Sequence, residues 1–429
     1  MTTYAMSVLG CKVNAYEAES TAQSLRQCGY TEVGFKEKAD VYLIFTCAVT
    51  NTASGKSRQR IHQAIRQNPD ALICAVGCDV QINAQKLSQD ERIDVLIGSA
   101  DKDRIAELIG EALKRRQRLM RIADVRQQAR FESLPLSSFQ HQTRAYLKVQ
   151  DGCNQFCAYC IIPYARGRER SMPLSEALRE AAQLAQHHPE IVLAGIHTGR
   201  YGKDIGTDLC ALIRGLCAIE PLQRIRISSI EITEISDELL DLMAQHSRIA
   251  RHLHIPLQSG CDATLQRMRR PYTTEQFFSR VEQIRHRFPD IAISTDLIVG
   301  FPGESEAEFA ATMEFLNRIQ FSFLHVFPFS CKSGTAAAAM KDQIDPQTKK
   351  QRVKAVGQIS HQGETAMKKS RIGQPLDVLI ETVQPGWSFG HSSEYLPVWF
   401  PCSLTPGQRV TGLGAQLKED RLIAQLKEE

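Results

Sequence analysis

The sequence predicts an α/β protein with a parallel-sheet amino-terminal domain, a second run of parallel βα units and a small all-β domain at its carboxyl end. Three observations lead there. Short apolar runs alternate with helical stretches up to about Arg115; the alternation lapses and resumes at Thr143; beyond Ile372 it gives way to brief apolar stretches separated by Pro, Gly and Ser. A chain of 429 residues is too long for one ordinary core, and 43% hydrophobic residues are ample to fill several. The expected divisions are 1–114, a linker over 115–138, then 139–370 and 371–429.

In the first domain, strands are expected from Tyr4 to Leu9, Val41 to Phe45 and Leu72 to Val76, with helices from Ala15 to Gln27 and Lys56 to Arg66. A cysteine follows each strand almost at once: Cys11, Cys47 and Cys78. The carboxyl ends of parallel strands share one edge, where such folds bind ligands, so the three can converge there. Position alone leaves them equally well as strand-end residues with no common role. Cys28 closes a helix before Gly29, and Cys74 sits inside a strand as a small buried hydrophobe. In the linker, Lys114, Arg115, Arg116, Arg118 and Arg121 crowd together, as a solvated face or as a nucleic-acid contact.

From Thr143 onward, strands at Tyr146 to Val149, Ile191 to Ala194, Ile225 to Ser228, His252 to Ile255, Ile291 to Thr295 and Phe323 to Phe327, with a helix from Ser175 to Gln186, repeat the unit from which parallel barrels are built. The loop after the first strand, on the catalytic face of such a barrel, reads Cys-Asn-Gln-Phe-Cys-Ala-Tyr-Cys. Thiolates of Cys153, Cys157 and Cys160 at this spacing can hold three irons of a 4Fe–4S cube and leave the fourth iron open. A structural zinc site, which normally wants four ligands, or three core cysteines are the alternatives. Arg166, Arg168 and Arg170 follow directly, either as salt-bridged surface residues or, as their position favours, as contacts to a phosphate backbone. His252 and His254 alternate on one strand face; with no third ligand evident, hydrogen-bonded core histidines are preferred to a metal pair.

The final segment has apolar stretches from Leu376 to Glu381 and Gln408 to Leu413, the pattern of a small β domain. Trp387, Tyr395 and Trp399 are not assignable to base stacking from sequence. If Trp399 and Phe400 share a strand, they face opposite ways and one is core. Net charge of +4 means that affinity for nucleic acid must come from local basic surface. Thirteen cysteines, a start of Met-Thr-Thr-Tyr-Ala without a basic and apolar leader, and no run approaching about 18 apolar residues lead to an expected reduced cytoplasm and no membrane.

The run CNQFCAYCIIPYARG, from Cys153 to Gly167, closely resembles the radical S-adenosylmethionine signature as the methylthiotransferase family writes it. Leu-Gly-Cys-Lys-Val-Asn (9–14), Thr-Cys-Ala-Val-Thr (46–50) and Val-Gly-Cys (76–78) resemble the three cysteine motifs of that family's amino-terminal domain, and the resemblance extends over nearly the whole chain. It implies two 4Fe–4S clusters, on Cys153, Cys157 and Cys160 and on Cys11, Cys47 and Cys78, together with S-adenosylmethionine and an incomplete barrel of six βα units open at one side. It places Tyr159 near the cofactor's adenine, Gly195 of Leu-Ala-Gly-Ile-His at its methionine amino group, and Ser228 and Glu231 of Ser-Ser-Ile-Glu at its ribose. Gln258 of Pro-Leu-Gln-Ser-Gly and Asp296 of the run to Glu304 complete the cofactor pattern, with no catalytic residue beyond the cluster ligands. Gly-His-Ser-Ser-Glu-Tyr-Leu-Pro-Val (390–398) resembles, imperfectly, the core of the TRAM module, a five-stranded barrel that binds RNA.

The activity implied is radical transfer of a methylthio group to carbon 2 of a modified adenosine beside a tRNA anticodon. The first cluster serves the cofactor, the second supplies sulfur, and an electron donor such as a flavodoxin-type reductant is needed; the external sulfur source is not implied. Gly-Cys-Lys-Val-Asn (10–14) is most similar to the branch acting on N6-threonylcarbamoyladenosine; the branch acting on N6-isopentenyladenosine usually has Gln-Met in place of Lys12 and Val13, and a third acts on a ribosomal-protein aspartate. Asp79, and Cys331-Lys332-Ser333 before Gly334, depart from the family pattern without touching an expected cluster ligand. A redox-sensing or cluster-bearing RNA-binding protein without catalysis is the rival from another class.

Overall fold

The computed structural model describes residues 1–115 and 117–427; Arg116 of the basic cluster lies outside them. The first domain is one parallel sheet of β1 (Thr3–Val8), β2 (Thr31–Glu32), β3 (Val41–Thr46), β4 (Leu72–Gly77), β5 (Val95–Ile97) and β6 (Leu119–Arg121), in the order β2-β1-β3-β4-β5-β6. Strands β3 and β4 are buried at every residue, which is why they read as continuous apolar runs rather than alternating ones. Helices α1 (Lys12–Gln27) and α4 (Ile105–Arg115) cover one face, packing Leu25 and Leu108 with Leu43 and Val76. Helices α2 (Asn51–Gln67) and α3 (Cys78–Leu87) cover the other with Ile61 and Val80. Strand β6 lies inside the stretch expected as a linker. It is held by Leu119 N donating to the Asp94 carbonyl and Gly98 N donating to that of Arg121, pairing too short to leave a periodic signal.

The second domain contains β7 (Arg144–Lys148), β8 (Gln150–Asp151), β9 (Arg170–Ser171), β10 (Glu190–Ala194), β11 (Arg224–Ile227), β12 (His252–His254), β13 (Ala292–Val299) and β14 (Phe323–Pro328). Parallel triplets β7-β10-β11 and β12-β13-β14 are joined by parallel bridges from Ile225 to Ile249 and from Ser229 to His254. Six strands therefore follow one another around an incomplete barrel, with the antiparallel ribbon of β8 and β9 flanking the cysteine loop. Helix α5 (Ile162–Arg166) follows that loop; α6 (Leu174–Ala185), α7 (Leu209–Cys217), α8 (Asp237–Gln245), α9 (Asp262–Arg267), α10 (Thr274–Arg287) and α11 (Glu306–Ile319) come after it. Leu184, Ile213, Leu240, Ile284 and Leu316 of these helices bury against Leu147, Leu193, Ile225, Leu253 and Ile293 of the strands. Capping boxes at Thr273 and Ser305 fix where α10 and α11 begin.

Helix α12 (Pro346–Ser370) packs on β14, where Ser360 Oγ bonds both backbone groups of Leu324, and leads to the third domain. There β15 (Pro375–Gln384), β16 (Trp387–Ser392), β17 (Pro397–Phe400), β18 (Arg409–Lys418) and β19 (Arg421–Leu426) close a barrel in the order β15-β16-β17-β19-β18. Phe400 belongs to its core with Val378, Val398 and Leu422, while Trp399 faces outward with the Arg421 guanidinium 4.9 Å from its ring. Among the described residues no helix is long and apolar enough to cross a membrane.

The first two domains meet across buried ions. Glu17 of α1 accepts from Lys148 Nζ at 2.7 Å, Arg166 Nη1 at 2.8 Å and Lys102 Nζ at 2.9 Å, and Asp151 pairs with Lys148 at 2.8 Å and Arg166 at 3.1 Å. Charges so deeply buried persist only when paired on every side.

Candidate active site

Local chain geometry brings Cys11, Cys47 and Cys78 to one edge of the first sheet. Cys11 occupies the N-cap of α1 without making a capping bond, Cys47 follows β3, and Cys78 opens α3 directly after β4. Two of the three cysteines thus sit at helix amino termini. Gly10 makes the convergence possible: its φ is +106°, and a Cβ there would stand 3.1 Å from the Cys47 sulfur. Burial pushes the Cys47 thiol up to about 11, with neighbouring Cys78 and Cys11 adding to the rise. Such mutual repulsion is relieved when a metal takes the thiolates.

Sequence reasoning placed Arg166 on RNA; the structure places it elsewhere. Its side chain is fully buried, with Nε donating to Cys78 Sγ at 3.2 Å and Nη2 to Asn14 Oδ1 at 2.8 Å, besides its pairs with Glu17 and Asp151. Arg170 is buried as well, donating to the carbonyls of Arg166 and Arg168. Neither reaches a phosphate, because packing of the two domains encloses both; Arg168 alone of the three is exposed. Arg118 of the basic cluster is likewise engaged, with Nε on the Ile93 carbonyl at 2.9 Å. The departures at Asp79 and Lys332 also land beside this triad. Lys332 is buried, donates to Ser54 Oγ at 2.7 Å, and lies within electrostatic reach of both Asp79 and Cys47.

The second triad lies on the loop between β8 and α5, at the carboxyl edge of the barrel. Cys153 Sγ is 3.5 Å from His197 Nδ1 in the loop after β10, and Arg270 Nη1, beyond β12, donates to Cys157 Sγ at 3.3 Å. Burial pushes the Cys160 thiol up to about 12, and Cys157 and Cys153 add to the shift. Burial alone would lower the His197 pKa, but bonds to Cys153 and to Glu234, 2.9 Å from its Nε2, outweigh it and raise it to about 10. Three unbridged thiols under two cationic side chains fit an iron–sulfur cluster, whose thiolates need compensating charge.

The residues expected at the cofactor gather on the same rim. Arg270 pairs with Glu231 and also donates to the Tyr159 hydroxyl at 3.4 Å. Ser228 Oγ lies 3.0 Å from Thr198 Oγ1, and Gln258, at φ +67°, donates its N–H to the Asp296 carbonyl at 2.9 Å. A Cβ at Gly195 would come within 3.1 Å of the Gln150 and Thr198 side chains, so a larger residue there would have to push them aside. Sequence reading missed His197, Arg270 and Glu234, whose signal is only their place behind strand ends.

Two adjoining cavities open from this rim. One of about 230 Å³ is lined by Tyr159, Cys160, Gln258 and Asp296, with Val49 and Thr50 from the first domain. The other, of about 620 Å³, is the barrel lumen. It runs from Gly10 and Lys12, which flank Cys11, past Ser228, His254, Asp296 and His325 to Tyr395 of the third domain, and it shares Asp296 and Phe327 with the smaller cavity. His252 Nε2 and His254 Nδ1 both bond Ser294 Oγ, at 2.8 and 2.9 Å, as expected of core histidines. Asp296 and His325, however, come close enough to His254 to complete a possible three-ligand set, which alternation along one strand could not reveal.

The radical SAM superfamily model matches residues 147–316, and the model described as uncharacterized protein family UPF0004 matches residues 3–98. The threonylcarbamoyladenosine tRNA methylthiotransferase MtaB of Bacillus subtilis is 40% identical over 93% of this chain and 90% of its own length. The protein of the same name from Aquifex aeolicus is 37% identical over 88% and 92%, and a tRNA-2-methylthio-N(6)-dimethylallyladenosine synthase from Pelotomaculum thermopropionicum is 32% identical over 89% and 87%. Among solved structures, the radical S-adenosylmethionine methyltransferase TsrM from Kitasatospora setae, with cobalamin and a [4Fe-4S] cluster bound, superposes with a TM-score of 0.55 at 14% identity, covering 76% of this chain and 75% of that one; the likeness concerns fold alone. The chain belongs to the radical S-adenosylmethionine methylthiotransferase family. As a radical SAM enzyme it works with a 4Fe–4S cluster and S-adenosylmethionine.

Proposed function

We propose that this enzyme places a methylthio group on carbon 2 of N6-threonylcarbamoyladenosine in tRNA, using a second cluster held by Cys11, Cys47 and Cys78. One observation carries the reading: the loops of both cysteine triads border adjoining cavities at the carboxyl end of the barrel. An aromatic C–H bond offers no proton that a side chain removes easily; the bound cluster and S-adenosylmethionine supply the radical chemistry that such a bond requires. The chain's own residues hold and orient. Cys153, Cys157 and Cys160 are the ligands of the first cluster, and Arg270 and His197 balance its charge. Gln258 and Asp296 line the smaller cavity with Tyr159, and Gly195, Ser228 and Glu231 stand on the neighbouring strand ends, together a rim for the cofactor's nucleoside. Arg166 ties Cys78 to the buried ions between the domains and so fixes one triad against the other.

The curated relatives that match over nearly their full length and carry the threonylcarbamoyl name support this branch. Anaerobic protein reconstituted with iron and sulfide, given reductant, S-adenosylmethionine and an anticodon stem-loop bearing the threonylcarbamoyl base, is expected to release 5′-deoxyadenosine and yield methylthiolated RNA. Product from an isopentenyl stem-loop but not from this one would move the enzyme to the other tRNA branch.

A further inference from the structure

The barrel lumen is lined by groups that divide into committed and free charges. Arg226 donates to Glu190 at 2.8 Å and to the carbonyls of Ser392 and Ser393 at 3.1 Å, and Arg144 pairs with Glu381 at 3.0 Å. Asp296 stands 3.3 Å from His254 Nε2. Lys12 differs. It is exposed to the lumen at the first turn of α1, and among the described residues no carboxylate comes within 4.0 Å of its ammonium. Its charge is felt by His252 and His325, on the strands that form the opposite wall. A cavity of about 620 Å³ with one uncompensated cation, three imidazoles and the hydroxyls of Ser228, Ser229 and Ser294 suits a polar anion the size of a substituted base.

Resting on the threonylcarbamoyl reading above, we propose that the lumen is the pocket for the N6 substituent and that Lys12 selects it by pairing with its carboxylate. An isopentenyl group has no charge to offer, so it would leave Lys12 enclosed and unpaired, at a cost against that substrate. A divalent cation on His254, Asp296 and His325 is the competing use of this wall. The uncompensated charge of Lys12 on the same cavity disfavours it.

Three stem-loop RNAs test this by equilibrium binding to the cluster-reconstituted protein: one with threonylcarbamoyladenosine, one with its neutral methyl ester, and one with plain adenosine. Wild-type protein is expected to prefer the carboxylate over the ester. Lys12→Met should raise Kd for the carboxylate RNA by about tenfold or more while leaving the ester and plain RNAs unchanged, and Lys12→Arg should restore the preference. Equal weakening toward all three RNAs would make Lys12 a phosphate contact and overturn the proposal. A preference that survives Lys12→Met but disappears in His325→Ala would assign the carboxylate to the histidine wall and its cation, and would also overturn it. If wild-type protein shows no preference for the modified base at all, the threonylcarbamoyl reading itself fails.

Discussion

Replacing Glu17 by Gln removes the charge at the centre of the domain interface while keeping its shape. Three cations, Lys102, Lys148 and Arg166, stand 2.7 to 2.9 Å from Glu17 Oε1 with no exposure to solvent. Lys148 and Arg166 keep Asp151 as a partner; Lys102 is left with the Ser99 carbonyl at 3.1 Å and no carboxylate in salt-bridge contact among the described residues. Removing one partner of such a buried set costs about 3–5 kcal/mol, because a charge remains desolvated and uncompensated. The loss falls on opening of the interface, where α1 meets β7 and β8. Amide hydrogen exchange in peptides spanning 12–27 and 144–151 is therefore expected to accelerate by about a hundredfold or more. An acceleration of less than about threefold would show that the ions contribute no net stability at this interface, and would refute the argument.

Cys153→Ala, Cys157→Ala and Cys160→Ala should each abolish formation of 5′-deoxyadenosine, measured by chromatography under reducing anaerobic conditions, since each removes one of only three thiolates. Cys11→Ala, Cys47→Ala and Cys78→Ala should retain some cofactor cleavage, yield no methylthiolated RNA, and lose about four irons per chain; product from all three would remove the second triad from sulfur donation. A pH effect is expected at Glu180, whose carboxyl is pushed up to about 7 by burial, against the opposing bond from the Tyr16 hydroxyl at 2.6 Å. Since the folded value lies above the ordinary one, the contribution is complete below about pH 4.5 and is lost as pH rises through about 7. Wild type should lose about 3 kcal/mol relative to Glu180→Gln across that window, and a constant difference in thermal stability between the two would contradict it.

The order of the elements and the place of each cysteine of the two triads were legible because they rest on local periodicity and on the position of a residue after a strand; the residues expected at the cofactor came from the family resemblance, not from period or spacing. Strand β6 was not, since three residues carry no period. Arg166 was misread for an instructive reason: an arginine next to a cluster loop has the same local sequence whether it faces RNA or a second domain, and only the packing of α1 and α3 around α5 buries it. The lumen set of His254, Asp296 and His325 draws on three separate strands, so no spacing could announce it. Lys332, far along the chain from Asp79 and Cys47, comes near them only in the fold.

Nucleoside mass spectrometry of tRNA from cells lacking the protein decides on which base this enzyme acts. In such cells 2-methylthio-N6-threonylcarbamoyladenosine is expected to vanish, its unmethylthiolated precursor to accumulate and 2-methylthio-N6-isopentenyladenosine to persist, with recovery when the protein is expressed again. Loss of the isopentenyl product instead, or no change in either nucleoside, would contradict the threonylcarbamoyl reading.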